Sequence, residues 1–125
     1  MQGSCESKLG RKIRVSIEPG RYLMADSAVL LCRITSTKHT SEMNFIGTDT
    51  GFNHLMRPAL YGSHHNIINL SNPEAADTQV TQVCGNICES TDMLGNDIKL
   101  GGRIGDILAI ENAGAYGFSM TSNYN

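Results

Sequence analysis

Ser27-Ala28-Val29-Leu30-Leu31-Cys32-Arg33-Ile34 is apolar and β-branched enough for a buried strand, and this stretch sets the fold class. Upstream, Lys12-Ile13-Arg14-Val15-Ser16-Ile17 alternates polar and apolar, the period of a half-buried strand. Glu18-Pro19-Gly20 stops it, because proline cannot donate to a ladder and glycine opens unusual backbone angles. Downstream, Asn44 to Asp49 (ended by Thr50-Gly51), His65 to Leu70, Gln79 to Cys84 and Asp106 to Ile110 predict four further strands. Ser71-Asn72-Pro73-Glu74 reads as a turn or exposed loop. The helix candidates are short: Phe52 to Met56 before Pro58, and Glu74 to Asp77. Short strands punctuated by proline and by 13 glycines predict a mainly β domain, a barrel or sandwich.

Composition narrows the partners. A chain of 125 residues is one domain's worth of polypeptide and can bury a real core. Its net charge of −2 and scattered basic residues form no stripe, so neither nucleic acid nor an anionic membrane surface is expected. No run approaches the roughly 20 apolar residues that span a bilayer. The opening Met1-Gln2-Gly3-Ser4-Cys5-Glu6-Ser7 has no apolar run of a secretory signal, and a cytoplasmic setting is expected by default. Cys5, Cys32, Cys84 and Cys88 are too few and too irregular for a disulfide framework. Cys84 and Cys88 have a C-x3-C spacing but no second pair or nearby histidine to complete a zinc site, so no metal is expected.

Four clusters could carry chemistry. Glu18-Pro19-Gly20-Arg21 brackets a strand-end turn with a carboxylate and a guanidinium, a geometry that can offer a backbone N–H and a fixed cation to a phosphate or carboxylate. The same residues would also make an ordinary turn with solvated charges. Arg57-Pro58-Ala59-Leu60-Tyr61 places an arginine and a tyrosine around a stiffening proline, and arginine is the natural bidentate clamp for a carboxylate. Tyr61 could equally be a half-buried core residue. Cys88-Glu89-Ser90, with Asp92, puts a thiol next to an acid, which raises a thiol's pKa. That opposes a cysteine-protease nucleophile and suits a proton donor. Gly114-Ala115-Tyr116-Gly117-Phe118 surrounds one tyrosine with small residues, letting ring and backbone approach a flat ligand or simply form a tight turn. His39, His54, His64 and His65 match no metal spacing, and His64 and His65 would point to opposite faces of a strand.

In order along the chain, Glu18-Pro19-Gly20-Arg21-Tyr22, Arg57-Pro58-Ala59-Leu60-Tyr61-Gly62, Cys88-Glu89-Ser90 with Asp92, Gly114-Ala115-Tyr116-Gly117-Phe118 and Ser122-Asn123-Tyr124-Asn125 resemble the diaminopimelate decarboxylase family. That family belongs to the alanine-racemase-like pyridoxal-phosphate enzymes, and the likeness runs from about Ile13 to Asn125. It implies a C-terminal β domain over 27–125, incomplete at its C-terminus. It also implies that 1–26 is the end of a (β/α)8 barrel, with the barrel's last strand and without the rest. None of Lys8, Lys12, Lys38 or Lys99 matches the motif of the cofactor lysine, so this chain alone is expected to be inactive. Asn86, Cys84, His64 and Thr91 depart from the usual pattern without removing a proposed catalytic group.

The resemblance implies roles residue by residue. Glu18 would pair with the pyridine nitrogen of pyridoxal 5'-phosphate, Gly20 would approach its phosphate, and Tyr116 would lie against the cofactor. Arg21, Arg57 and Tyr61 would hold the distal carboxylate of an amino-acid substrate. Glu89 would take the distal ammonium and Cys88 would protonate the α-carbon, both reaching across a homodimer with shared active sites. The implied reaction is decarboxylation of meso-2,6-diaminopimelate to L-lysine. Related decarboxylases of carboxynorspermidine, arginine or ornithine, or a non-catalytic β dimerisation or binding domain, are the alternatives. The strand-end turns are expected to leave apolar surface for the barrel half, exposed in this chain by itself.

Overall fold

The computed structural model describes residues 2–75 and 80–125. Its spine is β1 (Leu30–His39), a strand long enough to serve two ladders. The first half pairs antiparallel with β6 (Ile107–Ile110), Leu30 facing Ile110 and Arg33 facing Ile107. The second half pairs antiparallel with β2 (Asn44–Thr48), Thr37 facing Ile46. β3 (Ile67–Asn69) flanks β6, β4 (Thr81–Cys84) runs parallel to β2, and β5 (Met93–Ile98) pairs antiparallel with β4. The strand order is β3-β6-β1-β2-β4-β5.

The sheet curls into a half-barrel. A bulge between Ile34 and Ser36 bends β1 where it changes partner. The two edges come within packing distance of each other: a Cβ on Gly95 of β5 would lie 2.8 Å from Cδ1 of Ile67 on β3. Glycine therefore lets the edges meet without displacing the Ile67 side chain. Alternation then sorts the side chains, with Cys32 and Ile34 of β1 inside and Leu31 and Arg33 outside. Ile34, Ile46, Val83, Leu94, Leu108 and Ile110 form the core, with Leu55 and Leu100 plugging it from loops. Each such side chain contributes about 1.5–3 kcal/mol through burial.

The mainly β class holds, two local expectations do not, and two elements carry no signal in the sequence. Lys12 to Ile17 alternates but forms no strand; no strand among the described residues pairs with it, and Ile17 stands 79% exposed. Alternation supplies a face, whereas a strand also requires a partner for its N–H and C=O groups. The expected helix over Phe52 to Met56 is instead α2 at Arg57–Tyr61, with Pro58 in its first turn. Proline has no N–H to lose there, so it starts the helix rather than ending it. β5 was not anticipated, because its Met-Leu-Gly-Asn-Asp-Ile sequence buries Leu94 alone below a tenth exposure. At the N-terminus, α1 (Gln2–Leu9) occupies a polar stretch that carried no helical signal. Of the second helix candidate, Glu74 lies in a turn and Asp77 lies outside the described residues, as does Gln79 of the fourth downstream run. Tyr22 and Leu23 stand 84% and 64% exposed, apolar surface of the kind assigned to a neighbouring domain.

Asn69 ties β3 to its surroundings. Its amide oxygen accepts the N–H groups of Ser71 and Asn72, both at 3.0 Å, and its Nδ2 donates to Gly101 O at 3.1 Å and Asp106 Oδ2 at 2.8 Å. All four capacities of a fully buried amide are used. Asn69→Ala is expected to cost about 2–3 kcal/mol in urea unfolding, because a buried amide that makes four hydrogen bonds is lost and two part-buried backbone donors lose their acceptor. A loss below about 0.5 kcal/mol, the level of an ordinary surface change, would contradict this.

Candidate active site

Three segments converge to bring the arginines and tyrosines together. After Pro19 the chain turns through a short 3-10 segment, Gly20–Leu23, and a second, Ala25–Ser27. This turn is fastened to the loop after β6: Gly114 N–H donates to Ala25 O at 2.9 Å and Ala113 N–H to Ala28 O at 3.0 Å. A Cβ at Gly114 would collide with Met24 O and Ser27 Oγ, so only glycine permits this contact. The fastening places Arg21 and Tyr116 on neighbouring segments. From a third direction α2 supplies Arg57 and Tyr61 one helical turn apart.

Arg57 sits between two rings. Its Cζ lies 5.1 Å from the Tyr61 ring centroid and 5.8 Å from that of Tyr116, cation–π distances in both cases. Nη2 donates to Ser63 Oγ at 3.3 Å, which fixes the outer side of the fork. The planar guanidinium is thus oriented before any ligand arrives. Tyr116 itself adopts φ of 62°, a conformation uncommon outside glycine and found at sites where the fold over-determines the backbone.

His65 lies beneath this group and was undervalued by its lack of metal spacing. His64 is exposed and His65 is 1% exposed, so the two face opposite ways. Both precede the strand, which runs from Ile67 to Asn69 and not from His65 to Leu70. His65 Nδ1 is 2.8 Å from Glu111 O; a carbonyl only accepts, so Nδ1 carries the proton and Nε2 is a bare lone pair. Burial pushes the His65 pKa down, and the charges of Arg21, Arg57 and His64 add to that against the opposing Glu111 hydrogen bond. Arg21 Nε, Arg57 Nε and His65 Nε2 are buried without a hydrogen-bond partner among the described residues. Only Asn53 Oδ1 shares that condition among those residues. The two buried unpaired donors, Arg21 Nε and Arg57 Nε, call for a guest that accepts, whereas His65 Nε2 leaves a buried lone pair.

The second group is built around Asp92. Its buried carboxylate accepts the N–H of Phe52 at 2.6 Å and of Ile87 at 2.7 Å, and its backbone O accepts Gly85 N–H at 2.9 Å. This holds the loop on which Cys88 and Glu89 stand exposed. Tyr124 donates its hydroxyl to Glu89 Oε1 at 2.6 Å, and Asn125 Nδ2 approaches Cys88 Sγ at 3.3 Å. No hydrogen bond or ring contact among the described residues joins this group to the arginine–tyrosine group. The expected site residues therefore fall into two sets: Arg21, Arg57, Tyr61 and Tyr116 in one, Cys88 and Glu89 in the other. Glu18 and Gly20 stand exposed on the turn that carries Arg21, Gly20 with φ of 55°.

Other features carry less. Cys84 is half-buried against Met93, and burial, then Asp92, raises its pKa. Cys32 is buried, and its pKa is pushed up to about 11 by that burial and by Asp49, an inert thiol. Among the described residues no group of three or more His, Cys, Asp or Glu side chains is placed to hold a metal ion, and no helix is long and apolar enough to cross a membrane.

Fold and sequence now define the class. Residues 21–114 match the family "Pyridoxal-dependent decarboxylase, C-terminal sheet domain", and the chain belongs to it. It is 46% identical over 121 residues to diaminopimelate decarboxylase of Methanothermobacter thermautotrophicus, covering 96% of this chain and 28% of that protein. It is 42% identical over 129 residues to diaminopimelate decarboxylase of Escherichia coli K12, covering 94% of this chain and 31% of that protein. The crystal structure of diaminopimelate decarboxylase from M. jannaschii in co-complex with L-lysine superposes with a TM-score of 0.81 at 38% identity, over 98% of this chain and 28% of that one. The chain thus spans under a third of the length of these relatives.

Pyridoxal phosphate is the cofactor of the family, and the residues present fit part of its site. Gly20 has open space where a Cβ would project and a backbone that glycine accepts without strain, and Tyr116 exposes a ring already oriented by Arg57. The depressed pKa of His65 gives a pH prediction. The neutral form is favoured on folding, so its contribution is complete above the ordinary value of 6.5 and is lost as pH falls below that toward the lower folded-state value. Urea midpoints measured from about pH 8 to about pH 5 should fall, and His65→Gln should flatten the decline. An unchanged slope in the variant would assign the pH dependence elsewhere.

Proposed function

We propose that this chain is the C-terminal part of a pyridoxal-phosphate-dependent carboxy-lyase that converts meso-2,6-diaminopimelate to L-lysine and carbon dioxide, a step of lysine biosynthesis in the cytoplasm. The observation that carries this reading is the Arg57 guanidinium held against Tyr61 and Tyr116, with buried unpaired donors on Arg57 and Arg21. A carboxylate is the guest that two guanidiniums and a phenol satisfy together. Ornithine and arginine have no distal carboxylate to place there; diaminopimelate does.

The cofactor, when bound, supplies an electron sink for the bond that breaks. Glu18 would keep its ring nitrogen protonated, Gly20 would admit its phosphate to the backbone, and Tyr116 would flank it. Arg21, Arg57 and Tyr61 anchor the far end of the substrate, so that the departing carboxylate is the one left at the cofactor. Glu89 receives the distal ammonium. Cys88 gives its thiol proton to the α-carbon after carbon dioxide has left, and takes a proton back from solvent.

The separation of the two groups supports a homodimer in which Cys88 and Glu89 of one copy complete the site of the other. An N-terminal (β/α)8 barrel would supply the cofactor lysine and cover Tyr22 and Leu23. The test is release of labelled carbon dioxide from carboxyl-labelled meso-diaminopimelate by the full-length protein with pyridoxal phosphate. Cys88→Ala is expected to lose on the order of 10²–10⁴ in kcat, the scale of a general acid. Release that is equal in both proteins would remove Cys88 from this role, and no release at all would overturn the substrate.

A further inference from the structure

Glu89 is not free to turn. Tyr124 holds its Oε1 with a 2.6 Å hydrogen bond, short in the manner of a hydroxyl on a charged acceptor. The segment bearing Tyr124 is itself fixed at several points. Ser122 N–H donates to Asn53 O at 2.9 Å, Asn53 Nδ2 donates to Tyr124 O at 3.3 Å, and the Tyr124 ring packs on Phe52 with centroids 5.7 Å apart. Phe52 N–H is bound by the same Asp92 carboxylate that takes the N–H of Ile87, next to Cys88. One buried carboxylate therefore sets both the loop that carries Glu89 and the ring on which Tyr124 rests. The hydroxyl-to-carboxylate distance is a consequence of that shared support.

We propose that Tyr124 is a positioning residue for amino-group recognition: its hydroxyl occupies Oε1 of Glu89 and turns Oε2 toward the substrate's distal ammonium. This rests on the reading of Glu89 given above. A carboxylate tied by one oxygen has already lost the rotational freedom that an incoming ammonium would otherwise have to remove. The Tyr124 ring gives the tie a fixed direction, and the raised pKa of its phenol, caused first by the Glu89 hydrogen bond, keeps the proton in place as donor. Tyr124 touches no reacting atom in this arrangement. It sets specificity for a distal amino group without entering the chemical step.

Tyr124→Phe keeps the ring and removes the hydroxyl. In the full-length, cofactor-loaded protein, KM for meso-diaminopimelate and kcat would be measured, together with calorimetric affinities for L-lysine and 6-aminohexanoate. The first ligand retains the amino and carboxylate pair of the end that is not decarboxylated; the second keeps the carboxylate and lacks that amino group. KM and the lysine dissociation constant are expected to rise about three- to tenfold, the worth of one ordinary hydrogen bond at a solvent-exposed pair. The kcat and the 6-aminohexanoate affinity should stay within about twofold. Equal weakening of both ligands would mean general loosening and would overturn the proposal, as would no change in either. Glu89→Gln run alongside separates the two readings. If it weakens lysine while Tyr124→Phe does not, positioning fails and the site stands; if Glu89→Gln leaves lysine unaffected, both fall.

Discussion

The double pairing of β1 is the constraint on which the rest of this domain depends. One strand of ten residues carries β6 on its first half and β2 on its second, with a bulge where the partner changes. Because β1 is shared, the sheet must curl rather than split, and Gly95 lets the outer edges meet over Ile67. The same pairing fixes where the loop after β6 emerges, beside the turn that precedes β1. Contacts from Ala113 and Gly114 to Ala28 and Ala25 then fasten the two, and Arg21 and Tyr116 arrive at one place. The site is in this sense a by-product of how the half-barrel begins.

Burial of ionisable groups works in opposite directions on the two sides of the site. Asp92 is buried as a carboxylate with two short backbone donors, so its charge is compensated and it acts as a rigid peg. His65 is buried as a neutral imidazole, beside two guanidiniums whose charge opposes its protonation. Arg21 and Arg57 thus retain a positive potential to which the neutral His65 does not add. On the proposed reading, an anion entering between them would meet prearranged donors, which is how a binding group becomes selective without moving.

Much of this was legible in the sequence, and the failures have physical causes. Asn44 to Asp49 and Asp106 to Ile110 are legible almost to their bounds, because β2 buries every second residue and β6 buries a run of apolar ones. Lys12 to Ile17 carries the same alternation without a partner, and pattern alone cannot supply one. β5 could not be read because its place at the edge demands little beyond Leu94. Pro58 reads as a stop in sequence, whereas its position in the first helical turn makes it a start. The contact between Arg57 and Tyr61, one helical turn apart in α2, is one that a local spacing reports. The contact between Glu89 and Tyr124, 35 residues apart, was not, since only the folded loop and tail define it. His65 was passed over because its signal is burial beside remote arginines, which no spacing reports.

The central claim is that Arg57, framed by Tyr61 and Tyr116, selects substrates by a distal carboxylate. The most direct measurement is the ratio of kcat/KM for meso-diaminopimelate over L-ornithine in the full-length protein, before and after Arg57→Leu. A ratio of about 10³ or more is expected in the wild type, as for a site whose buried polar groups are left unpaired by the wrong substrate, with its collapse in the variant. A ratio that survives the loss of Arg57 would place carboxylate recognition elsewhere and contradict the account.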